Sequence, residues 1–79
     1  MSTLVRMPNL GAEASAGRIV AWLRAVGDTV AAGDPIAEIE TDKATLELEA
    51  PAAGTIVEIV HASGTEVPVG ETLAIIDHD

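Results

Sequence analysis

Residues 16–40 read AGRIVAWLRAVGDTVAAGDPIAEIE, and residues 53–77 read AGTIVEIVHASGTEVPVGETLAIID. Laid over one another at an offset of 37, the two stretches agree at 10 of 25 positions. Gly17 meets Gly54, Ile19 meets Ile56, Val20 meets Val57, Gly27 meets Gly64, Val30 meets Val67, Gly33 meets Gly70 and Ile39 meets Ile76; Ala16, Ala25 and Ala37 meet Ala53, Ala62 and Ala74. An Ala-rich composition alone does not produce glycines and aliphatics recurring together at fixed offsets, so the chain contains an internal repeat.

Each copy reads as strand, turn, short strand, turn, strand. Arg18 to Leu23 and Thr55 to Val60 are rich in β-branched residues, the pattern of extended chain. Gly27-Asp28, Ser63-Gly64, Gly33-Asp34-Pro35 and Gly70 mark the turns. Ala21 to Val26 is the best helical alternative, and Gly27 stops it early. The spacing predicts an all-β sandwich or barrel. Neither half can bury a core alone, so the halves are expected to pack as a pseudo-two-fold pair of sheets, each of about four short strands. Trp22 stands where the second copy has Ile59 and is expected in the core with Val20, because burying an indole contributes more than any other side chain here.

Between the copies the alternation continues. Ala37 and Ile39 alternate with Glu38 and Glu40; beyond a gap, Leu46 and Leu48 alternate with Thr45, Glu47 and Glu49. Period two on both sides predicts two half-buried strands. The gap Thr41-Asp42-Lys43-Ala44 is then the turn of a hairpin, and Thr and Asp suit it because their side chains bond nearby backbone. Lys43 is the only lysine of the protein, and it falls between the two repeats. Glu38, Glu40, Asp42, Glu47 and Glu49 surround it in sequence, and nearby carboxylates favour the ammonium form. That argues against a self-activated Schiff-base or general-base lysine, and for a lysine modified by a dedicated enzyme.

Composition narrows the function further. The 79 residues fit one domain, with repeat halves at 16–40 and 53–77 and the lysine hairpin at 41–44 between them. Thirteen acids face four bases, a formal charge of −9. Nucleic acid and anionic membrane surfaces are therefore poor partners and a basic surface a good one; self-repulsion favours a monomer. The chain has no cysteine, and its two histidines, His61 and His78, lack metal-ligand spacing. No nucleophile–base set and no phosphate-cradling Gly motif is present, so the sequence offers no enzyme active site. The absence of a basic region followed by an apolar run points to the cytoplasm, or to an organelle matrix such as that of mitochondria. The 21 Val, Ile and Leu residues suffice for a core only if nearly all point inward.

Glu40-Thr41-Asp42-Lys43-Ala44 resembles the attachment motif of lipoyl domains, which belong to the acyltransferase components of 2-oxo acid dehydrogenase complexes. Met7-Pro8, Ile19-Val20-Ala21-Trp22-Leu23, Val26-Gly27-Asp28 and Pro35-Ile36-Ala37-Glu38-Ile39-Glu40 resemble the same family, so the likeness covers almost the whole chain. Gly27 and Gly54 lie 16 residues before and 11 after Lys43, as in the family. The resemblance implies a flattened barrel of two four-stranded antiparallel sheets and a carrier that catalyses nothing itself. It implies lipoate held as an amide on Lys43. It implies, as partners, lipoylating enzymes, a thiamine diphosphate-dependent decarboxylase, an acyltransferase and a flavin-dependent dihydrolipoamide dehydrogenase, between which the arm carries acyl groups and electrons.

By the same resemblance Glu40, Thr41, Asp42 and Ala44 frame the lysine for recognition. The loop 9–16, with Asn9, Leu10, Gly11 and Glu13, lies beside the hairpin and contributes to partner choice. The chain departs from the family's commonest pattern at Ala16, where many relatives have Glu, and this bears on which 2-oxo acid is served. The closest rival is a biotinyl carrier domain of a carboxylase, which shares the fold but usually has Met on both sides of the lysine, where this chain has Asp42 and Ala44. An unmodified β module that only binds partners is the alternative of a different class.

Overall fold

Eight strands and no helix form among the described residues of the computed structural model, which are 1–9, 15–41 and 44–78. In chain order they are β1 (Ser2–Arg6), β2 (Ala16–Trp22), β3 (Thr29–Val30), β4 (Pro35–Glu40), β5 (Thr45–Glu49), β6 (Gly54–Ile59), β7 (Glu66–Pro68) and β8 (Thr72–Asp77). One sheet has the order β1-β8-β6-β3 and the other β5-β4-β2-β7, and every pairing is antiparallel. The all-β sandwich expected from the repeat is what forms. β2, β3 and β4 are repeated as β6, β7 and β8.

The halves are interwoven rather than stacked. Exchanging β1 with β5, β2 with β6, β3 with β7 and β4 with β8 turns one sheet order into the other. The short strand of each copy is donated to the sheet of the other: β3 pairs with β6, and β7 with β2. The hydrogen bonds repeat with the sequence. Leu23 N–H donates to Ile36 C=O at 2.8 Å, and Val60 N–H to Leu73 C=O at 2.8 Å. Gly27 N–H donates to Ile56 C=O, and Gly64 N–H to Ile19 C=O, at 2.7 and 2.6 Å. Gly33 N–H donates to Ala50 C=O and Gly70 N–H to Met7 C=O, both at 2.9 Å.

This last pair extends the symmetry beyond the sequence repeat. Met7-Pro8 matches Ala50-Pro51, so β1 corresponds to β5 at an offset of 43 rather than 37. The first half therefore carries six extra residues between Pro8 and Ala16, where the second half passes from Pro51 to Ala53.

Both long inner strands begin earlier than the β-branched pattern suggested, because Gly17 and Gly54 are ladder residues, paired with Val67 and Val30. A Cβ on Gly54 would run into the carbonyl oxygen of Asp77 and the side chain of Ile76, so only glycine lets β6 approach β8 here.

Buried among the described residues are Val5, Met7, Ile19, Val30, Ile36, Ala37, Ile39, Leu48, Ala50, Ile56, Val67, Leu73, Ala74 and Ile76. The expectation that nearly all Val, Ile and Leu point inward is corrected: Leu4, Val20, Leu23, Val26, Val57, Val60 and Val69 are exposed. Met7 and three alanines fill space in their stead, and small residues let the two sheets close on each other. Val20 is not in the core with Trp22. The β2–β4 register shifts between Ile19 and Ala21, and the β6–β8 register between Ile56 and Glu58, which puts Val20 and Val57 at equivalent bulges. Val20 and Val57 follow the buried Ile19 and Ile56 in step and face outward, 44% and 47% exposed, and the extra residue at each bulge returns Trp22 and Ile59 toward the core. Trp22 does pack against the core, half-buried, with its indole N–H donating to His61 C=O at 2.9 Å.

β3 ends beside the start of β6, which lies beside the end of β8. β4 therefore starts near the end of β8 and runs the other way, so the β4–β5 turn and the chain ends project from opposite ends of a molecule of 37 × 20 × 19 Å.

Candidate functional site

The projecting hairpin is built from β4 and β5. Its inner face is apolar: Ile39 lies opposite Leu46, and Ala37 opposite Leu48, with Ala37 and Ile39 fully buried. This face anchors the hairpin in the core. The outer face is acidic. Glu38 lies directly opposite Glu47, and Glu40 opposite Thr45, while Glu40, Glu47 and Glu49 are exposed and Glu38 half-buried. The symmetry-related positions in the other sheet are Ile75 opposite Leu4. Like charges facing each other across a ladder are destabilising, and only the sheet bearing the lysine turn accepts them.

Beyond the last ladder pair, Thr41 N–H donates to Ala44 C=O at 2.8 Å. The Thr41 hydroxyl donates to the same carbonyl at 3.1 Å and accepts from Ala44 N–H at 3.2 Å. Thr41 is half-buried, and Glu40 and Ala44 on either side are exposed. The turn expected at 41–44 is thus closed at its two ends. Asp42 and Lys43 are the two residues between them in sequence, and both lie outside the described residues.

Of the loop residues expected beside the hairpin, Leu10, Gly11 and Glu13 lie outside the described residues, and Asn9 is exposed. The described flanks of that loop are at the hairpin end. Ala16 pairs with Pro68 two residues before Arg18 pairs with Glu40, and Ser15 C=O accepts from Val69 N–H at 2.9 Å. The described flank of the six-residue insertion, Ser15-Ala16, therefore lies at the end where β2 meets Glu40. The sequence carried a signal for this insertion, the Met7-Pro8 and Ala50-Pro51 pairs at a different offset from the rest of the repeat.

Elsewhere, His61 Nε2 lies 3.5 Å from Glu71 Oε2, and His78 Nε2 lies 2.8 Å from Thr3 Oγ1. No group of three or more metal-ligating side chains comes together among the described residues. The hairpin is exposed at Glu40 and Ala44, the residues on either side of Thr41-Asp42-Lys43.

The model of the biotin/lipoyl family, described as "biotin-requiring enzyme", matches residues 3–76. The chain belongs to the biotin and lipoyl attachment family. Its sequence lies on the lipoyl side of that family. It is 47% identical over 75 residues to the dihydrolipoyllysine-residue acetyltransferase component of the pyruvate dehydrogenase complex of Corynebacterium glutamicum, covering 95% of this chain and 11% of that protein. The lipoyl domain of the 2-oxoglutarate dehydrogenase complex of Azotobacter vinelandii superposes with a TM-score of 0.78 at 31% identity, covering 96% of this chain and 98% of that one. The urea carboxylase of Kluyveromyces lactis contains a similar unit, with a TM-score of 0.82 at 30% identity, covering 98% of this chain and 6% of that one. The attachment domain spans less than a fifth of the length of the curated relatives it matches. Its fold and sequence are those of lipoyl domains, which carry lipoate covalently on a lysine.

Proposed function

We propose that this chain is a lipoyl carrier whose attachment residue is Lys43, serving a 2-oxo acid dehydrogenase complex and catalysing nothing itself. The observation that carries this is the β4–β5 hairpin. It is closed between Thr41 and Ala44, which flank the protein's only lysine in sequence, and is anchored below by Ile39 and Leu46. When attached, a lipoyl group supplies a dithiolane able to take up an acyl group and a pair of electrons. The protein's own part is mechanical and electrostatic. The hairpin gives the segment that carries Lys43 a base in the sheet, and a group attached there meets successive partner sites at high effective concentration. The acidic outer face of Glu38, Glu40, Glu47 and Glu49 favours partners with basic surfaces and steers their approach. Glu40, Thr41, Asp42 and Ala44 are the residues a partner reads, and Asn9, Leu10, Gly11 and Glu13 contribute to partner choice.

The partners implied are the lipoylating enzymes and the decarboxylase, acyltransferase and dihydrolipoamide dehydrogenase components, in the cytoplasm or an organelle matrix. The likeness to a carboxylase unit favours biotin as a second reading. Asp42 and Ala44 beside Lys43, where biotinyl domains usually have Met, weigh for lipoate.

The test is the intact mass of the domain, expressed with lipoylating and biotinylating enzymes and both acids supplied, followed by peptide mapping. A lipoyl-sized increment on Lys43, absent in Lys43→Arg, is expected. A biotin-sized increment moves the chain to carboxylase chemistry, and no increment on a folded protein leaves the unmodified binding module.

A further inference from the structure

One cation interrupts the acidic outer face of the sheet that carries the hairpin. Arg18 on β2 lies directly opposite Glu40 on β4 and directly opposite Glu66 on β7. The residues next to them, Gly17, Ile19, Ile39 and Val67, are buried, so Glu40, Arg18 and Glu66 share the outer face, and all three are exposed. They form an acid–base–acid row across three adjacent strands, about 10 Å from first to last. The same row of the duplicate sheet reads Asp77, Thr55, Thr29 and holds no cation. The fold therefore does not require the alternation. Nor does Arg18 serve the sheet by pairing: among the described residues no ion pair joins it to Glu40 or Glu66. Arg6, by contrast, is tied down, donating to Gly70 C=O at 3.2 Å.

A partner drawn to Glu40 and Glu66 also covers Arg18, which stands between them. Covering strips water from the guanidinium, and a charge left unpaired in an interface costs affinity. A partner surface of bases alone meets that cost in full. One that sets a carboxylate between its bases removes it, because a guanidinium and a carboxylate match as a two-pronged pair. We propose that Arg18 is a specificity determinant for the lipoylating enzyme, which receives it on a carboxylate placed between two basic residues. Glu40 is three residues from Lys43 in sequence, which brings an enzyme acting there onto this row. The inference rests on the lipoyl carrier reading and adds an acidic contact to a partner surface that net charge alone would make wholly basic.

Long-range attraction and local pairing predict opposite signs, and a charge series at one position separates them. The experiment measures KM and kcat of a lipoate–protein ligase for the unmodified domain as wild type, Arg18→Lys, Arg18→Gln and Arg18→Glu. Each step down the series makes the domain more acidic, and steering alone would then improve it as a substrate for a basic enzyme. With a carboxylate facing Arg18 the order reverses. Arg18→Lys is expected to stay within a few-fold of wild type, Arg18→Gln to raise KM about ten-fold or more, and Arg18→Glu to raise it further, with kcat retained. Unchanged urea midpoints across the series show that the sheet is intact. Arg18→Gln and Arg18→Glu domains modified as well as wild type, or better, overturn the proposal. So does an equal loss in both, which reports the shape of the side chain and not its charge. A wild-type domain that takes no lipoate removes the carrier reading, and this inference with it.

Discussion

Gly54 shows how a single atom can be excluded from a fold. The space for a Cβ is already occupied by the Asp77 carbonyl and Ile76, in the strand that β6 must join. Gly54→Ala is expected to destabilise the domain by about 3 kcal/mol or more, through forced backbone separation. A urea titration followed by far-ultraviolet circular dichroism would show it as a lowered midpoint. By contrast, an Ala at Gly64, which meets nothing within 4 Å, bears only the strain of its φ of 90° and is expected to cost less. Trp22 was legible as a core residue from size alone, but its polar anchor was not. The partner is a backbone carbonyl 39 residues away, and backbone leaves no mark in a sequence. Trp22→Phe keeps most of the burial and deletes the bond to His61, so a loss of about 1 kcal/mol is expected, measured as a shift in Tm.

Among the elements, the β4–β5 hairpin was the most readable, because period two announces both strands and the polar gap announces the turn. The bulges at Val20 and Val57 were not readable. A run such as Ile19-Val20-Ala21-Trp22 looks like an unbroken inward and outward alternation, and only the facing strand reveals that one residue is extra. The hairpin also carries a testable cost. Glu38 faces Glu47 across the ladder with a pair of like charges. Glu47→Gln is expected to stabilise the domain by a few tenths of a kcal/mol, up to about 1. The gain should shrink as salt is added, since the exposed partner is screened. Thermal melts at low and high ionic strength would separate this electrostatic origin from a change in packing. Weakened binding of the same variant to the decarboxylase proposed as a partner would assign the retained repulsion to function.

At the scale of the whole molecule, the repeat disclosed the sandwich and its pseudo-symmetry, while the exchange of β3 and β7 between sheets was hidden. Short strands of two and three residues carry too little pattern to say whom they pair with. That exchange joins both sheets into a single core, so the halves should not unfold separately. Ile39→Ala, in a fully buried position shared by both sheets' packing, is expected to cost about 2–5 kcal/mol. It should lower one cooperative transition seen alike by Trp22 fluorescence and circular dichroism, rather than create two. The meeting of the chain ends has a separate implication. Met1 and His78 bond to each other through both backbone groups, and the His78 N–H to Met1 C=O bond stands where Thr41 N–H bonds Ala44 C=O in the hairpin. A circular permutant that opens the chain at the lysine turn and bridges the old termini with two residues should therefore fold to the same sandwich. With an Asp-Lys bridge the acceptor would move to the far pole, onto a face bearing Leu4 and Ile75 in place of opposed glutamates. Whether a ligase modifies that transplanted lysine would measure how much of its recognition lies in the shape of a turn and how much in the surface behind it.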